Sequence, residues 1–333
     1  MGCRSYVVGG RLHNSTQNKG QRDNPMKRGC LFIDGKDAYT EYGIYVVNDG
    51  WNELVAMPPL KAVPYNEWQE EDGIEADLSD PQLNTHEASL KIAVTTMYDG
   101  YVLLNDLLSD GAYHEFDCRE IGRKYRLRLV SMPSLSHIQD FASVSIKLAD
   151  DFPLPDYKYV APQSSLPTSD DYCIDGKPLS DYGAIVLKGI VAEIMKAPTV
   201  KPNLLRNIAT KAGAIYDPKT VTYKSKDVKV KLLMRAATLP QLWRNYDALL
   251  YDMTRPEERT LDIIDVAESY PCYYKSCQVN NFFPTGKIWL EFTLTFTFIR
   301  DFRISDELLL ASEDALWIVT EDENDFITLK PDK

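Results

Sequence analysis

The sequence predicts an α+β protein, mainly β, made of two tandem copies of one domain. Each copy reads as a partly open β-barrel with a single flanking helix, and a C-terminal β-hairpin follows. Two observations lead to this. The phrase LFIDGKDAYTEYG at residues 31–43 returns as YCIDGKPLSDYG at residues 172–183. Each copy then runs through alternating segments, one helix-spaced segment and a long closing strand.

The repeat extends well past its opening phrase. Ile33-Asp34-Gly35-Lys36 matches Ile174-Asp175-Gly176-Lys177, and Tyr42-Gly43 matches Tyr182-Gly183 after a one-residue deletion. The same offset brings Pro58 onto Pro198, Lys61 onto Lys201, Gly73 onto Gly213, Asp77 onto Asp217 and Lys91 onto Lys231. Further on the register loosens, and ADDF at 149–152 meets IRDF at 299–302. The period is domain-sized, far above that of solenoid repeats. The expected division is an N-terminal arm at 1–30, copy one at 31–152, a linker at 153–171, copy two at 172–302 and an extension at 303–333.

The arm is basic, rich in Gly, Asn and Gln, and without periodicity, so it is expected to be disordered or to order on assembly. Its longest apolar step, Val7-Val8, is too short for a signal peptide, and Met26 is a candidate start. Within each copy, IDGK reads as a tight turn in which Gly35 and Gly176 supply positive φ. YGIYVV (42–47) and YGAIVL (182–187) read as strands. PPLKAVP and APTVKP read as extended loops, because Pro restrains itself and its predecessor.

ASLKIAV (88–94) and VKVKLLM (228–234) alternate, placing Val228, Val230 and Leu232 on one face. Tyr101, Leu104, Leu107 and Leu108 have helical spacing. So do Leu239, Leu242, Trp243, Tyr246, Leu249 and Leu250, with Pro240 in the first turn. Ile288, Leu290, Phe292, Leu294, Phe296 and Phe298 share the buried face of copy two's closing strand, against Glu291, Thr293, Thr295 and Thr297. Copy one repeats this with Ala142, Val144, Ile146 and Leu148. The Pro- and Ser-rich linker reads as semi-extended. LWIVTEDENDFITLK reads as strand, polar turn, strand.

No sequence motif nominates a catalytic, cofactor-binding or metal-binding residue, and the expectation is a protein that is not an enzyme. GxSxG, HExxH and GxGxxG are absent. PTGKI (284–288) lacks the first Gly of a phosphate loop and has Ile288 in place of Ser or Thr, so it reads as a hairpin turn. In HEFDC (114–118), His114 and Cys118 would share a strand face with Phe116 while Glu115 and Asp117 point away, which is not a convergent site. Copy two has only RTLDI there. QEEDGIEADLSD (69–80) carries six carboxylates without calcium-loop spacing. It reads as a solvated acidic loop, with an intersubunit contact as the other reading. Six scattered cysteines without CxxC read as reduced. Apolar content is ordinary, and no run of 18 apolar residues suggests a membrane span.

Copy one resembles the N-terminal domain of phage distal tail proteins and related tail-tube proteins. The likeness rests on the F-I-D-G-K-D opening at 32–37, Tyr42-Gly43, Pro58-Pro59-Leu60-Lys61, Trp68-x-Glu70-x-Asp72-Gly73 and Asp77-Leu78-Ser79. The TED-containing C-terminal segment is similar to endings of prophage tail proteins. The resemblance implies a split β-barrel with a flanking helix, assembled side by side into a ring around the tail channel. It implies homo-oligomers, either hexamers or, for hub proteins with two such domains per chain, trimers with pseudo-sixfold rings. It also implies other tail and baseplate proteins as partners, a location in the virion tail after assembly in the bacterial cytoplasm, and DNA passing through without specific binding. Copy two lacks counterparts of Trp68 and Glu70, and distal tail proteins usually carry one such domain. The competing expectation is a glycan-binding β-module, permitted by the 11% aromatic content.

Charge separates the copies. Residues 31–150 carry a net −12 and residues 172–302 a net +4. Copies that alternate around a ring would therefore meet unlike neighbours, which directs pairing more than it adds affinity.

Overall fold

The computed structural model describes residues 27–95, 98–133, 142–154, 157–202, 206–207, 209–210, 212–215, 221–266, 268–300, 308–309 and 328–329. Copy one begins with strands β1 (Leu31–Ile33) and β2 (Lys36–Asp37). Between them Asp34 and Gly35 both take positive φ, 48° and 78°, the mirror-type turn whose twist matches a two-residue hairpin. Helix α1 (Ala38–Tyr42) follows, capped by the Asp37 carboxylate, which accepts from the Tyr39 and Thr40 amides. Strand β3 is Ile44–Val46, so Tyr42 ends a helix instead of opening a strand, and Gly43 turns the chain at φ 64°.

Helix α2 (Asn52–Val55), the two-residue strands β4 (Tyr65–Asn66) and β5 (Glu75–Ala76), and β6 (His86–Val94) come next. Helix α3 (Tyr98–Leu108) and strands β7 (His114–Cys118), β8 (Arg123–Ser131) and β9 (Ala142–Asp150) complete the copy.

Copy two repeats the plan with β10 (Tyr172–Ile174), β11 (Lys177–Pro178), a 3-10 turn at Leu179–Tyr182, β12 (Ala184–Val186) and α4 (Ile190–Ile194). Strands β13 (Arg206–Asn207), β14 (Ala214–Ile215) and β15 (Lys226–Ala236) lead to α5 (Leu239–Met253). Strands β16 (Arg259–Ile263), β17 (Glu268–Phe283) and β18 (Ile288–Phe298) end the copy. Beyond it, β19 (Leu308–Leu309) pairs antiparallel with β20 (Thr328–Leu329). The first expected hairpin strand, LWIVT (316–320), and the arm up to residue 26 lie outside the described residues.

The two seven-stranded sheets have one order: β2-β1-β7-β8-β9-β6-β3 and β11-β10-β16-β17-β18-β15-β12. The protein is thus mainly β with few helices, as expected. Among the described residues each sheet is open in its pairing, ending at β2 and β3 or at β11 and β12.

Burial follows the alternation. Val228, Val230 and Leu232 are buried, as are Leu290, Phe292, Leu294, Phe296 and Phe298. The opposite face of β18 is less open than its pattern suggests. Thr293 and Thr297 are also buried, and Thr297 donates to Asp227 at 2.7 Å. On α5, Thr238 caps the N-terminus, Pro240 sits in the first turn, and the Tyr246 ring meets Phe292 edge-on at 5.4 Å. A single buried apolar cluster runs through both copies.

The linker is extended but docked. Asn245, fully buried on α5, donates to the Gln163 carbonyl at 2.7 Å and accepts the Gln163 amide at 2.8 Å. Arg244 donates to the Ala161 carbonyl at 2.7 Å.

Candidate functional site

The residues singled out by the sequence fall into structural roles. His114 is buried on β7, with Nδ1 2.7 Å from Asp34 and Nε2 3.1 Å from Asp110. The same Asp34 accepts the Glu115 amide at 2.9 Å. In copy two Arg259 takes the position of His114. It holds Asp175 at 2.5 Å, and Asp175 accepts the Thr260 amide at 2.8 Å. The Asp of each IDGK phrase thus ties its turn to the neighbouring strand. The expectation that RTLDI offers nothing comparable to HEFDC is corrected: a nitrogen-bearing side chain faces the turn carboxylate in both copies, His114 in one and Arg259 in the other.

PTGKI joins β17 to β18, with Gly286 at φ 73°. The five described cysteines are free thiols. Burial raises the Cys118 and Cys272 thiols and pushes Cys277 up to about 11, so they behave as small apolar side chains. No metal-holding group of His, Cys, Asp or Glu occurs among the described residues. No helix among them is long and apolar enough to cross a membrane.

The acidic stretch is where the structure departs furthest from the sequence reading. Residues 59–84 form a loop whose stem is closed by Lys61 N–H to the Gln82 carbonyl and Asn84 N–H to the Pro59 carbonyl, both 2.8 Å. Glu70, Glu71, Glu75 and Asp77 are exposed, as in a solvated loop, but the backbone of the tip is engaged. It lies on copy two, where Gly73 donates to the Tyr223 carbonyl at 2.7 Å and Ile74 to the Ile299 carbonyl at 2.9 Å. The Tyr223 amide donates to Asp72 at 2.8 Å, and the Thr222 hydroxyl to the Gln69 carbonyl at 2.8 Å. The Glu257 amide reaches the Leu78 carbonyl at 2.7 Å.

At the centre, Lys201 of copy two is 1% exposed. Its Nζ donates to the carbonyls of Trp68 at 2.6 Å, Glu71 at 2.8 Å and Gly73 at 2.7 Å. An ammonium has three hydrogens, and all three are used. The approach is so close that a Cβ on Gly73 would stand 1.6 Å from the Ile299 carbonyl oxygen. Sequence reasoning missed this joint because backbone carbonyls make it. The one available signal was Lys201 itself, a cation retained opposite Lys61 in the repeat.

A second part of the joint lies under α5. The Trp243 indole donates to the Ile121 carbonyl at 2.7 Å, and Arg123 pairs with Asp247 at 2.6 Å while stacking over the Trp243 ring at 4.6 Å. Tyr246 and Tyr274 donate to the carbonyls of Val55 at 3.0 Å and Pro58 at 2.9 Å. The Leu60 amide donates to the Lys275 carbonyl at 3.0 Å.

Elsewhere a cleft of about 390 Å³ is lined by Tyr159, Asp175, Lys177, Tyr182, Tyr251 and Asp252, among others. Its polar groups satisfy one another: Tyr182 donates to Asp252 at 2.5 Å and Lys177 to Asp252 at 3.0 Å.

No family model and no curated protein matches the sequence. Among solved structures, the Dit protein of phage SPP1 is a slight likeness, with a TM-score of 0.29 and 19% identity over 38% of this chain. It is described as a paradigm of the hub adsorption apparatus of phages that infect Gram-positive bacteria. The match spans about half of that chain, 49%. A likeness at this level fixes neither fold nor function.

Proposed function

We propose that this chain is a structural component of a phage or prophage tail, forming a ring at the junction of tail tube and baseplate through its two tube-like copies. The observation that carries this reading is the internal one: two sheets of one strand order, gripping each other side by side within a single chain. Side-by-side packing of like units is what a ring requires, and the sequence resemblance of copy one to distal tail proteins supports the same reading. In it, each copy is a split barrel that curls its sheet around one helix. The assembly is a trimer of chains, with a hexamer as the alternative. It works without catalysis or cofactor, lets DNA pass without specific binding, and contacts other tail and baseplate proteins in the virion.

Negative-stain images of the purified full chain test it. Rings of uniform diameter are expected, and featureless monomers would overturn the reading. A glycan-binding module is the second reading. Tyr159 and Tyr251, both 40% exposed with ring centroids 5.2 Å apart beside the cleft, favour it. Monomers that lose binding to host glycans on Tyr251→Ala would establish it instead.

A further inference from the structure

We propose that the joint seen inside the chain is repeated between chains, the copy-two loop of one chain seating on copy one of the next. The inference rests on the ring reading and names the surface that would close the ring. Each half of the joint has a counterpart at the same place in the repeat.

At their described positions the loops correspond at a constant offset of 140. Leu60 bridges Leu83, and Val200 bridges Tyr223. The stem bonds of copy one recur as Lys201 N–H to the Thr222 carbonyl and Lys224 N–H to the Thr199 carbonyl, again 2.8 Å. Every copy therefore has a loop tip and, at its stem, a socket for a tip. Within the chain, the tip of copy one fills the socket of copy two. Among the described residues, the socket of copy one and the tip of copy two are left over.

The leftover parts keep the geometry of the used ones. Gly213, the counterpart of Gly73, holds φ 80° against 73°, yet a Cβ there would meet nothing within 4 Å among the described residues. Lys61, the counterpart of buried Lys201, is exposed, and its side chain has no hydrogen-bond partner among the described residues. The socket floor repeats too. The Lys275 carbonyl, which accepts from Leu60, lies at the bulge of β17 between Tyr274 and Ser276. The corresponding bulge of β8 lies between Leu129 and Ser131, so Val130 is its counterpart. Val130 is 38% exposed and Val200, the counterpart of Leu60, is 48% exposed. Two exposed valines thus stand where the internal joint has its contacting pair.

Charge agrees with this pairing. Residues 59–84 carry a net −6 and rest on the basic copy, whereas residues 199–224 carry a net +4 and would face the acidic one. The contact is heterologous, head to tail, and such contacts close into a ring when the rotation allows. The proposed contacts are the Val200 amide to the Val130 carbonyl and the Lys61 ammonium to the Gly213 carbonyl of the adjoining chain.

The test mixes two full-length variants, Val130→Cys and Val200→Cys, under mild oxidation, beside light scattering on the unaltered chain. Expected are a mass near three chains and linked pairs in the mixture, well above those from either variant alone. A trimer without such links would overturn this contact and leave the ring standing. A chain that remains monomeric at all concentrations would overturn both. Val200→Asp gives a second readout. It should lower the assembled mass to one chain without moving the melting temperature of the monomer, and unchanged assembly would count against the contact.

Discussion

The Lys201 Nζ donates to the Gly73 carbonyl at 2.7 Å across 128 residues of chain, and with two further carbonyls it is shut away from water. Removing the ammonium leaves three carbonyls without their donor, each worth about 1–3 kcal/mol when unsatisfied and buried. Lys201→Met should therefore cost about 3–5 kcal/mol, as for breaking a buried charged contact. Lys61→Met, on an open surface in the single chain, should stay within about 0.5 kcal/mol. Urea unfolding of the two variants under conditions that keep the chain monomeric measures the difference, and equal costs would mean the joint is not formed in solution.

Gly73 and Gly213 offer a cleaner pair, because both hold positive φ. Alanine at either site takes on the left-handed penalty of about 1–2 kcal/mol. Only at Gly73 does the new Cβ also collide with the Ile299 carbonyl. Gly73→Ala should lower the melting temperature well beyond Gly213→Ala. The reverse order would place the close approach in the wrong copy.

His86 predicts an acid limb. It is buried at the start of β6 with Nε2 2.9 Å from the Glu53 carbonyl, and burial lowers its pKa below 6.5. Because the folded value is the lower one, the unfolded chain binds the proton first as pH falls. The stability attached to neutral His86 is then complete above about pH 6.5 and declines below it. His86→Gln should flatten the change in urea midpoint between pH 7.5 and 5. A slope identical to that of the parent would assign the limb elsewhere.

Phe296, 1% exposed on β18, should cost about 3–5 kcal/mol as alanine. Thr295→Ala should cost far less. Thr297→Ala should fall between them at about 1 kcal/mol, because its hydroxyl is buried on Asp227. Denaturant midpoints for the three variants give the ranking.

Cutting the chain near Ser164 should leave the two pieces associated on gel filtration, because the buried cluster crosses between copies and Trp243 and Tyr246 reach backbone of copy one. Two folded pieces that elute separately would contradict this.

What could be read in the sequence was local. The turn at Asp34-Gly35, the alternation of Val228 to Leu232 and the spacing of Leu242, Trp243 and Tyr246 depend on neighbours a few residues away, and each was found as expected. The joint could not be read that way. Glu70, Glu71 and Asp72 look like a hydrated loop by composition, but it is largely their backbone that binds, and the partner lies more than a hundred residues on. The same blindness hid the kinship of His114 and Arg259, which share a task without sharing a letter.

The edge strands β2 and β11 have a consequence for colloidal behaviour. At the end of β11, Pro178 offers no amide to an incoming strand, and in β2 Asp37 puts a carboxylate at the same place while capping α1. Neither first hairpin can template a further strand without meeting a nitrogen that carries no hydrogen or a buried-charge penalty. A concentrated solution is thereby protected from ribbon-like fibrils growing off these edges, at the flank where each sheet is narrowest.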